Sequence, residues 1–594
     1  MKKFLVVMPK FVSRPEHYYL FPLGLTYVSA ALKSKGYSVE CLNLNHYEVP
    51  PSVLISRTII DKQIDVLCTG GLSAHYGRVK EILDIARRTK PSIVTVLGGG
   101  LLSSEPDLMM NALAASFGVI GEGEETIVEL AQALSTSEDH ARVKGLIYRD
   151  SNGVLTKTPP RPPIQDIDTI PYPDYEGFEI EKYLDMRLPN DERDQSPFDN
   201  PRQLCVVSSR SCPYSCTFCY HPIGKKYRQR SIDSLVAELE HWIKKYRVNM
   251  FLIMDELFSI DREKIVAFCA RIKPLNVKWQ IQMRVDSHID KDTLDMMREA
   301  GCYCISYGLE SGNDRVLKSM RKLINVGQIV QALETTYDAN IGVQGNFLFG
   351  DTAETLGTAA ETFELWLKLR KHNIWMVPVE VYPGTQLYLQ AVSTGLIKDK
   401  LKFIERGCPS VNLTQMSERD YLQVLFLMHL LRNSYQIIPA QVLDCKQDGS
   451  HPLRGTLYVV TVKCPHCHHT VEYRNMSLNG YRKLGCRECN RRLDLPPLDQ
   501  YSVWPPNYKL ASEYSFSESH AEEIRQFLNP RNRSWLVAEG VALEGSTARF
   551  NIIRFFGKHY LVPQSLSPDD IRGHRVSIFT VDINSGEVRQ CLDV

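Results

Sequence analysis

"SSRSCPYSCTFCYHP", residues 208–222, gathers Cys212, Cys216 and Cys219 into a C-x3-C-x2-C loop, and the segments around it decide how the chain is read. A short apolar strand starts at Cys205, just upstream. Downstream, Ile232, Leu235, Val236, Leu239, Ile243 and Tyr246 recur at helical spacing behind Ser231, a residue type whose hydroxyl caps helix N-termini. "MFLIM" reads as a strand ending at Asp255 and Glu256; "KWQIQMRV", "CYCISYGLE", "GVQGNFLFG" and "WMVPVEVYPG" follow, with helical segments between them. Repeated strand–helix units of this length form a complete or partial parallel barrel, with its chemistry at the strand carboxyl ends. Asp255, Glu256, Arg284, Gly308, Glu310 and Ser311 lie at such ends.

Three thiolates in so short a loop can hold three irons of a 4Fe-4S cubane and leave the fourth iron without a protein ligand. Electron-transfer clusters are ordinarily closed by four cysteines, so an open iron suits binding and activating a small molecule. The competing reading is a structural zinc ion completed by His221, because Cys3His is an ordinary zinc set.

From residue 1 to about 140 strand and helix also alternate, through "FLVVMP", "SVECLNL", "VLCTGG", "SIVTVLGGG" and "GVIGEGEETIVELAQAL". This pattern predicts a parallel sheet covered on both faces. Glycines fall where its strands end, and the carboxyl edge of such a sheet is a ligand crevice. Ser73, Gly98, Gly99, Gly100, Gly121 and Glu122 are its candidate contacts. Residues 141–200 read as a hairpin around "SNG" followed by a proline-rich linker, "TPPRPPIQDIDTIPYPDY".

The loop resembles the signature of the radical S-adenosylmethionine (SAM) enzymes, C-x3-C-x-aromatic-C, matched by Cys212, Cys216, Phe218 and Cys219. "SYGLESGNDRVLKSM", "NFLFGDTAET" and "VYPGTQLY" resemble the later strand ends of that family, in order. The first domain, with "FPLGLTYVSAALKSKGY", "VLGGG" and "GVIGEGEET", is similar to the cobalamin-binding module of one large branch. The resemblance implies a Rossmann-like cobalamin-binding domain over 1–140 and a partial (β/α)6 barrel of the TIM type over 201–400. It also implies that SAM chelates the open iron and is cleaved by one electron to a 5′-deoxyadenosyl radical. Tyr220, Asp255, Glu256, Arg284, Gly308, Glu310 and Ser311 are then expected around SAM, with Glu310 on the ribose hydroxyls or the ammonium. For Asp255, Glu256 and Arg284 a structural ion pair is the alternative; for Tyr220 it is packing beneath the cluster. The D-x-H-x-x-G motif that supplies an imidazole to cobalt is absent: the loop after the first strand reads "PKFVSRPEHYYLFPLG".

A second set, Cys464, Cys467, Cys486 and Cys489, has C-x2-C-x18-C-x2-C spacing, which reads as a structural zinc ribbon over 456–495, with His466, His468 and His469 surplus and exposed. A helical region is expected over 401–455 and a mixed α/β region of unassigned role over 496–594. Among 594 residues the net charge is +1, so no global field draws the chain to nucleic acid or acidic lipid. The apolar run at the amino terminus is too short for a membrane span or an export signal, and sixteen cysteines without small-domain density suit a reducing compartment, the cytoplasm. The expected activity is C-methylation of an unactivated carbon on a small or carrier-bound substrate, with electrons from a flavodoxin or ferredoxin. The alternatives are radical cyclisation, epimerisation or rearrangement, modification of an RNA or carrier presented by the ribbon, and a non-enzymatic zinc-binding interaction protein.

Overall fold

The computed structural model describes residues 2–136, 138–191, 196–258, 261–287, 289–435, 440–477, 483–495 and 518–528, and five strands between 536 and 592. Two parallel sheets dominate it. In the first, Ser38–Asn43, Lys3–Met8, Val66–Gly70, Val94–Gly98 and Phe117–Val119 lie side by side in that order, all parallel. Helices cover both faces, so Phe4 to Met8 and Val66 to Gly70 are buried, as continuous apolar runs require. The hairpin expected in the connector instead extends this sheet: Leu146–Arg149 pairs antiparallel with Phe117–Val119, and Leu155–Lys157 pairs with it in turn. Asp150 closes the turn by accepting the backbone N–H groups of Asn152 and Val154.

In the second sheet Gln203–Val206, Met250–Ile253, Lys278–Met283, Cys302–Glu310, Gly342–Phe349 and Asn373–Pro378 pair in sequence order, every pair parallel. These are the six strands of a partial barrel. Helix Ile232–Tyr246 begins where expected, with the Ser231 hydroxyl accepting the N–H of Ser234.

The proline-rich connector also packs. Tyr175, Phe178 and Tyr183 are buried in a core that runs continuously from the first sheet into the barrel. The Tyr175 ring lies 5.8 Å from Phe21 and 5.0 Å from Trp242, and its hydroxyl donates to the carbonyl of Cys205. An aromatic spaced among prolines carries no periodic signal, so only the fold exposes its role.

The region expected to be helical to residue 455 turns extended earlier. Helix Glu418–Tyr435 is followed by strand Gln441–His451, which joins Gly455–Lys463 and Thr470–Ser477 in a three-stranded antiparallel sheet. Gln441–His451 is an exposed, polar edge strand and so lacks the apolar alternation that would announce it. Of residues 496–594, helix Glu518–Leu528 packs on Glu418–Tyr435 through Phe527 and Phe426, and five antiparallel strands form a separate sheet. No helix among the described residues is long and apolar enough to cross a membrane.

Candidate functional site

The cysteine loop leaves the first barrel strand at its carboxyl end. A two-stranded pair, Ser209–Arg210 with Arg228–Gln229, closes its base. Its far side rests on residues 320–321, where Thr217 donates its N–H to the Met320 carbonyl (3.1 Å) and Cys216 Sγ lies 3.9 Å from the Arg321 carbonyl. Cys212, Cys216 and Cys219 are half-buried. Burial and then Glu256 push the Cys219 thiol up to about 12.

The two cysteine sets differ in how closely their thiols gather. Among the described residues, the one group of three or more cysteine, histidine or acidic donor atoms lying within 4.8 Å of one another is Cys464, Cys467, Cys486 and Cys489. Cys212, Cys216 and Cys219 form no such group, which is compatible with a cubane that places each thiolate on a separate iron. His221 forms no such group with them among the described residues; both its nitrogens are buried without a hydrogen bond, and Glu256 Oε2 lies 3.5 Å from Nδ1.

Around the loop, the barrel strand ends converge. Glu310 sits in the left-handed region at φ 64°, and its carboxylate accepts Lys322 Nζ at 2.6 Å. A Cβ on Gly308 would meet that ammonium at 2.4 Å, so glycine is what admits the pair. Lys322 is flanked by Arg321 at φ 53° and Leu323 at φ 59°; two strained residues therefore aim it inward. Arg284 holds Asp286 through both carboxylate oxygens at 2.8 and 2.9 Å, donates to the Lys322 carbonyl at 2.6 Å, and stacks 3.7 Å over the Tyr214 ring of the cysteine loop. Asp255 is spent on the fold: Oδ1 accepts the N–H groups of Ser208 (2.8 Å) and Ser209 (3.0 Å), and Oδ2 takes the Ser208 hydroxyl. Burial raises its carboxyl to about 7 against those hydrogen bonds. Ser311 bonds Thr362 and the N–H of Asn313, anchoring the helix that follows.

At the edge of the first sheet, Gly70 faces Gly98 and Gly71 faces Gly99 so closely that a Cβ on Gly70 would stand 2.4 Å from the Gly98 carbonyl oxygen, and one on Gly99 2.9 Å from that of Gly71. Those glycines serve strand contact. Gly98 and Gly121 have nothing within 4 Å of where a Cβ would sit, so they leave backbone open toward the crevice. Ser73 is buried, 3.5 Å from Ser104 Oγ. Tyr220 joins the two sheets: its hydroxyl donates to the Gly100 carbonyl at 2.8 Å, and Cβ atoms on Gly100 and Gly384 would strike its ring at 2.9 and 2.4 Å. Its ring therefore packs between the two halves of the molecule.

Glu122 has a different place from the one expected. Oε1 accepts Arg210 Nη1 at 2.8 Å and Arg228 Nη1 at 2.9 Å, and Oε2 accepts the N–H of Ile164 at 2.7 Å. Glu124 takes the other Arg210 nitrogen at 2.5 Å. Since both oxygens of Glu122 are occupied by protein donors, this residue clamps the base of the cysteine loop and does not face the crevice.

Residues 206–365 match the Radical SAM superfamily and residues 11–131 the B12 binding domain. The chain therefore carries a radical SAM domain preceded by a B12-binding domain. It is 28% identical over 382 residues to an uncharacterised methyltransferase of Pyrococcus horikoshii, covering 63% of this chain and 79% of that one. It is 30% identical to the anaerobic magnesium-protoporphyrin IX monomethyl ester cyclase of Rubrivivax gelatinosus, covering 58% of this chain and 61% of the cyclase, under two thirds of that protein's length. Its fold matches the radical S-adenosylmethionine methyltransferase TsrM from Kitasatospora setae, solved with tryptophan and a SAM analogue, at a TM-score of 0.55 and 18% identity, over 66% of this chain and 76% of that one.

Around the cysteine loop, sequence reasoning missed Lys322, Tyr214, Arg210, Arg228 and Glu124. Their partners lie 12 to 106 residues away, and no local pattern announces such pairings. The four-cysteine set does converge: Sγ of Cys464 and Cys489 are 3.8 Å apart, and those of Cys467 and Cys486 3.7 Å. Four sulfurs bound at about 2.3 Å to one tetrahedral ion stand about 3.8 Å apart, so the set fits zinc. His468 and His469 are exposed as expected; His466 is not, because its Nδ1 meets the Tyr337 hydroxyl at 3.1 Å and its Nε2 the Arg492 carbonyl at 2.8 Å. The ribbon abuts the starts of the barrel strands, at the end away from the carboxyl ends where the cysteine loop lies, which does not favour substrate presentation by it.

Proposed function

We propose that this enzyme transfers a methyl group to an unactivated carbon of a small substrate held between the barrel mouth and the edge of the first sheet. The observation that carries the reading is Tyr220: next to Cys219, it is pinned to Gly100, so the cysteine loop and the open glycine edge border one space. When bound, the 4Fe-4S cluster, SAM and cobalamin together supply one-electron cleavage of a sulfonium and a transferable methyl group.

The chain's own residues orient and exclude. Cys212, Cys216 and Cys219 would hold the cluster through three of its irons and leave the fourth to SAM. Glu310 and Lys322 present paired opposite charges, at 2.6 Å, suited to the ammonium and carboxylate of the methionine moiety, while Arg284 keeps Tyr214 and hence the loop in place. Gly98 and Gly121 give the corrinoid side its backbone approach, with the Gly121 N–H held by Ser103 Oγ at 3.0 Å. Neighbouring His75 is kept neutral near pH 7 because burial lowers it to about 4. An external flavodoxin- or ferredoxin-class donor delivers the electron.

The likeness to a cyclase supports one competing outcome, radical ring closure without methyl transfer. Product analysis on the anaerobically reconstituted enzyme, given SAM, cobalamin and reductant with candidate substrates, distinguishes the two. Methyl transfer yields 5′-deoxyadenosine and S-adenosylhomocysteine in equal amounts; ring closure yields 5′-deoxyadenosine alone.

A further inference from the structure

The cysteine ribbon stands at the end of the barrel away from the proposed reaction, and its two knuckles are built alike. In each, the first cysteine donates its N–H to the residue five positions on (Cys464 to the His469 carbonyl, Cys486 to the Arg491 carbonyl, both 2.9 Å). In each, the residue four positions on donates back to that cysteine's carbonyl and adopts a left-handed backbone, His468 at φ 62° and Asn490 at φ 54°. The knuckles pair the four thiols across one another at 3.7 and 3.8 Å.

The knuckle residues between and just after the thiols are the ones that touch the barrel. His466 bonds the Tyr337 hydroxyl; Asn490 donates Nδ2 to the Asn340 carbonyl at 3.1 Å; Arg491 donates to the Tyr337 carbonyl at 2.6 Å and stacks 3.5 Å over its ring. Arg492, buried, donates to the side chain of Asn373, the first residue of the last barrel strand. The Asn490 carbonyl oxygen sits 2.6 Å from where a Cβ on Gly342 would be, at the first residue of the preceding strand, so glycine there makes room for the ribbon. On the other side of the same end, Asp199 and Asn200, which precede the first strand, bond Arg474 and Asn475 of the ribbon at 2.6 and 2.8 Å.

We propose that the ribbon is a metal-ordered closure of the barrel's amino end: one tetrahedral ion held by Cys464, Cys467, Cys486 and Cys489 fixes the knuckles that fasten the strand starts at Gly342 and Asn373. Among the described residues this parallel sheet has six strands, and the ribbon contacts the segment before the first of them as well as the start of the last. Metal loading there supports the barrel without touching the reacting groups, and goes beyond the reaction proposed above.

The test uses the full chain, purified anaerobically and supplied with zinc, with metal content read by elemental analysis and strand protection by hydrogen exchange. The wild type is expected to hold one zinc per chain in addition to its iron. Cys486→Ser is expected to lose that zinc, and peptides beginning at Gly342 and Asn373 to exchange at least tenfold faster, while Lys3–Met8 in the first sheet is unchanged. Asn373→Ala removes one docking contact but no thiol; it is expected to keep its zinc and still exchange faster at the last strand, which covers the case in which Cys486→Ser fails to fold. The proposal is overturned if wild type binds no zinc at the four thiols, if zinc loss leaves both strand starts protected, or if Asn373→Ala shows wild-type exchange.

Discussion

Replacing Glu122 by alanine should loosen the cysteine loop more than any surface charge would. The two-stranded base of that loop sets Arg210 directly opposite Arg228, and like charges facing each other across strands repel. Glu122 stands between them, with its side chain and that of Arg228 each only 4% exposed. Removing it leaves Arg228 with the Ile164 carbonyl at 2.6 Å and weaker contacts to the Lys226 carbonyl and Ser211 at 3.3 and 3.4 Å, while Arg210 retains Glu124. Deleting one partner of a buried ion pair costs about 3–5 kcal/mol because the other charge stays desolvated. At about 2–4 °C per kcal/mol for a domain of 150–250 residues, the apparent Tm should fall on the order of 10 °C. Glu124→Ala, which frees only half of one guanidinium, should cost less. The decisive variant is Glu122→Ala with Arg228→Met, in which the stranded charge is gone and part of the lost stability should return. Denaturant midpoints and SAM cleavage would be followed together. A loss under about 1 kcal/mol in Glu122→Ala, or a double variant no better than the single, would refute the clamp.

Lys322→Met should leave iron and sulfide content unchanged but raise the KM for SAM at least tenfold, since it deletes one of the paired charges at Glu310; equal kinetics in the two proteins would remove that assignment. Gly384 is at φ 94°, and a Cβ there would overlap Tyr220, so Gly384→Ala should cost about 1–2 kcal/mol in backbone strain alone and reduce SAM cleavage by displacing the ring, which denaturation and product analysis would measure. Burial raises Asp255 in the folded chain to about 7 from its ordinary 3.8, so the native state holds that proton more tightly than the unfolded chain. Its contribution to stability is therefore complete below about pH 4 and is lost as pH rises through about 7. In Asp255→Asn that part of the pH dependence should vanish, and a Tm profile still matching wild type between pH 4 and 8 would contradict the assignment.

Much of this architecture is written locally. The C-x3-C-x2-C spacing, the alternation of strand and helix, and Ser231 before an apolar helical stripe are all short-range patterns, and the last two emerge in the fold at their own residues. The four ribbon cysteines were also legible, because a tetrahedral ion needs only two knuckles and a spacer. What escaped depends on residues far apart. Glu122 reads as a crevice residue until Arg210 and Arg228 are seen to occupy it, and Gly99 and Gly100 read as ligand glycines until Gly71 and Tyr220 are seen against them. Strand Gln441–His451 lies exposed on a sheet edge, where polar residues are tolerated and amphipathic alternation is not required. The place of the ribbon follows from pairs such as Arg492 with Asn373, which sequence spacing does not encode.

The central claim is that the cysteine loop holds a cubane whose open iron takes SAM. Electron paramagnetic resonance of the anaerobically reconstituted, dithionite-reduced protein, recorded with and without SAM and paired with iron and sulfide analysis, tests it most directly. The account predicts four irons and four sulfides per chain that disappear on replacing Cys212, Cys216 and Cys219, and a reduced-cluster signal that changes when SAM is added. Zinc alone at those three cysteines, or a cluster signal indifferent to SAM, would contradict it.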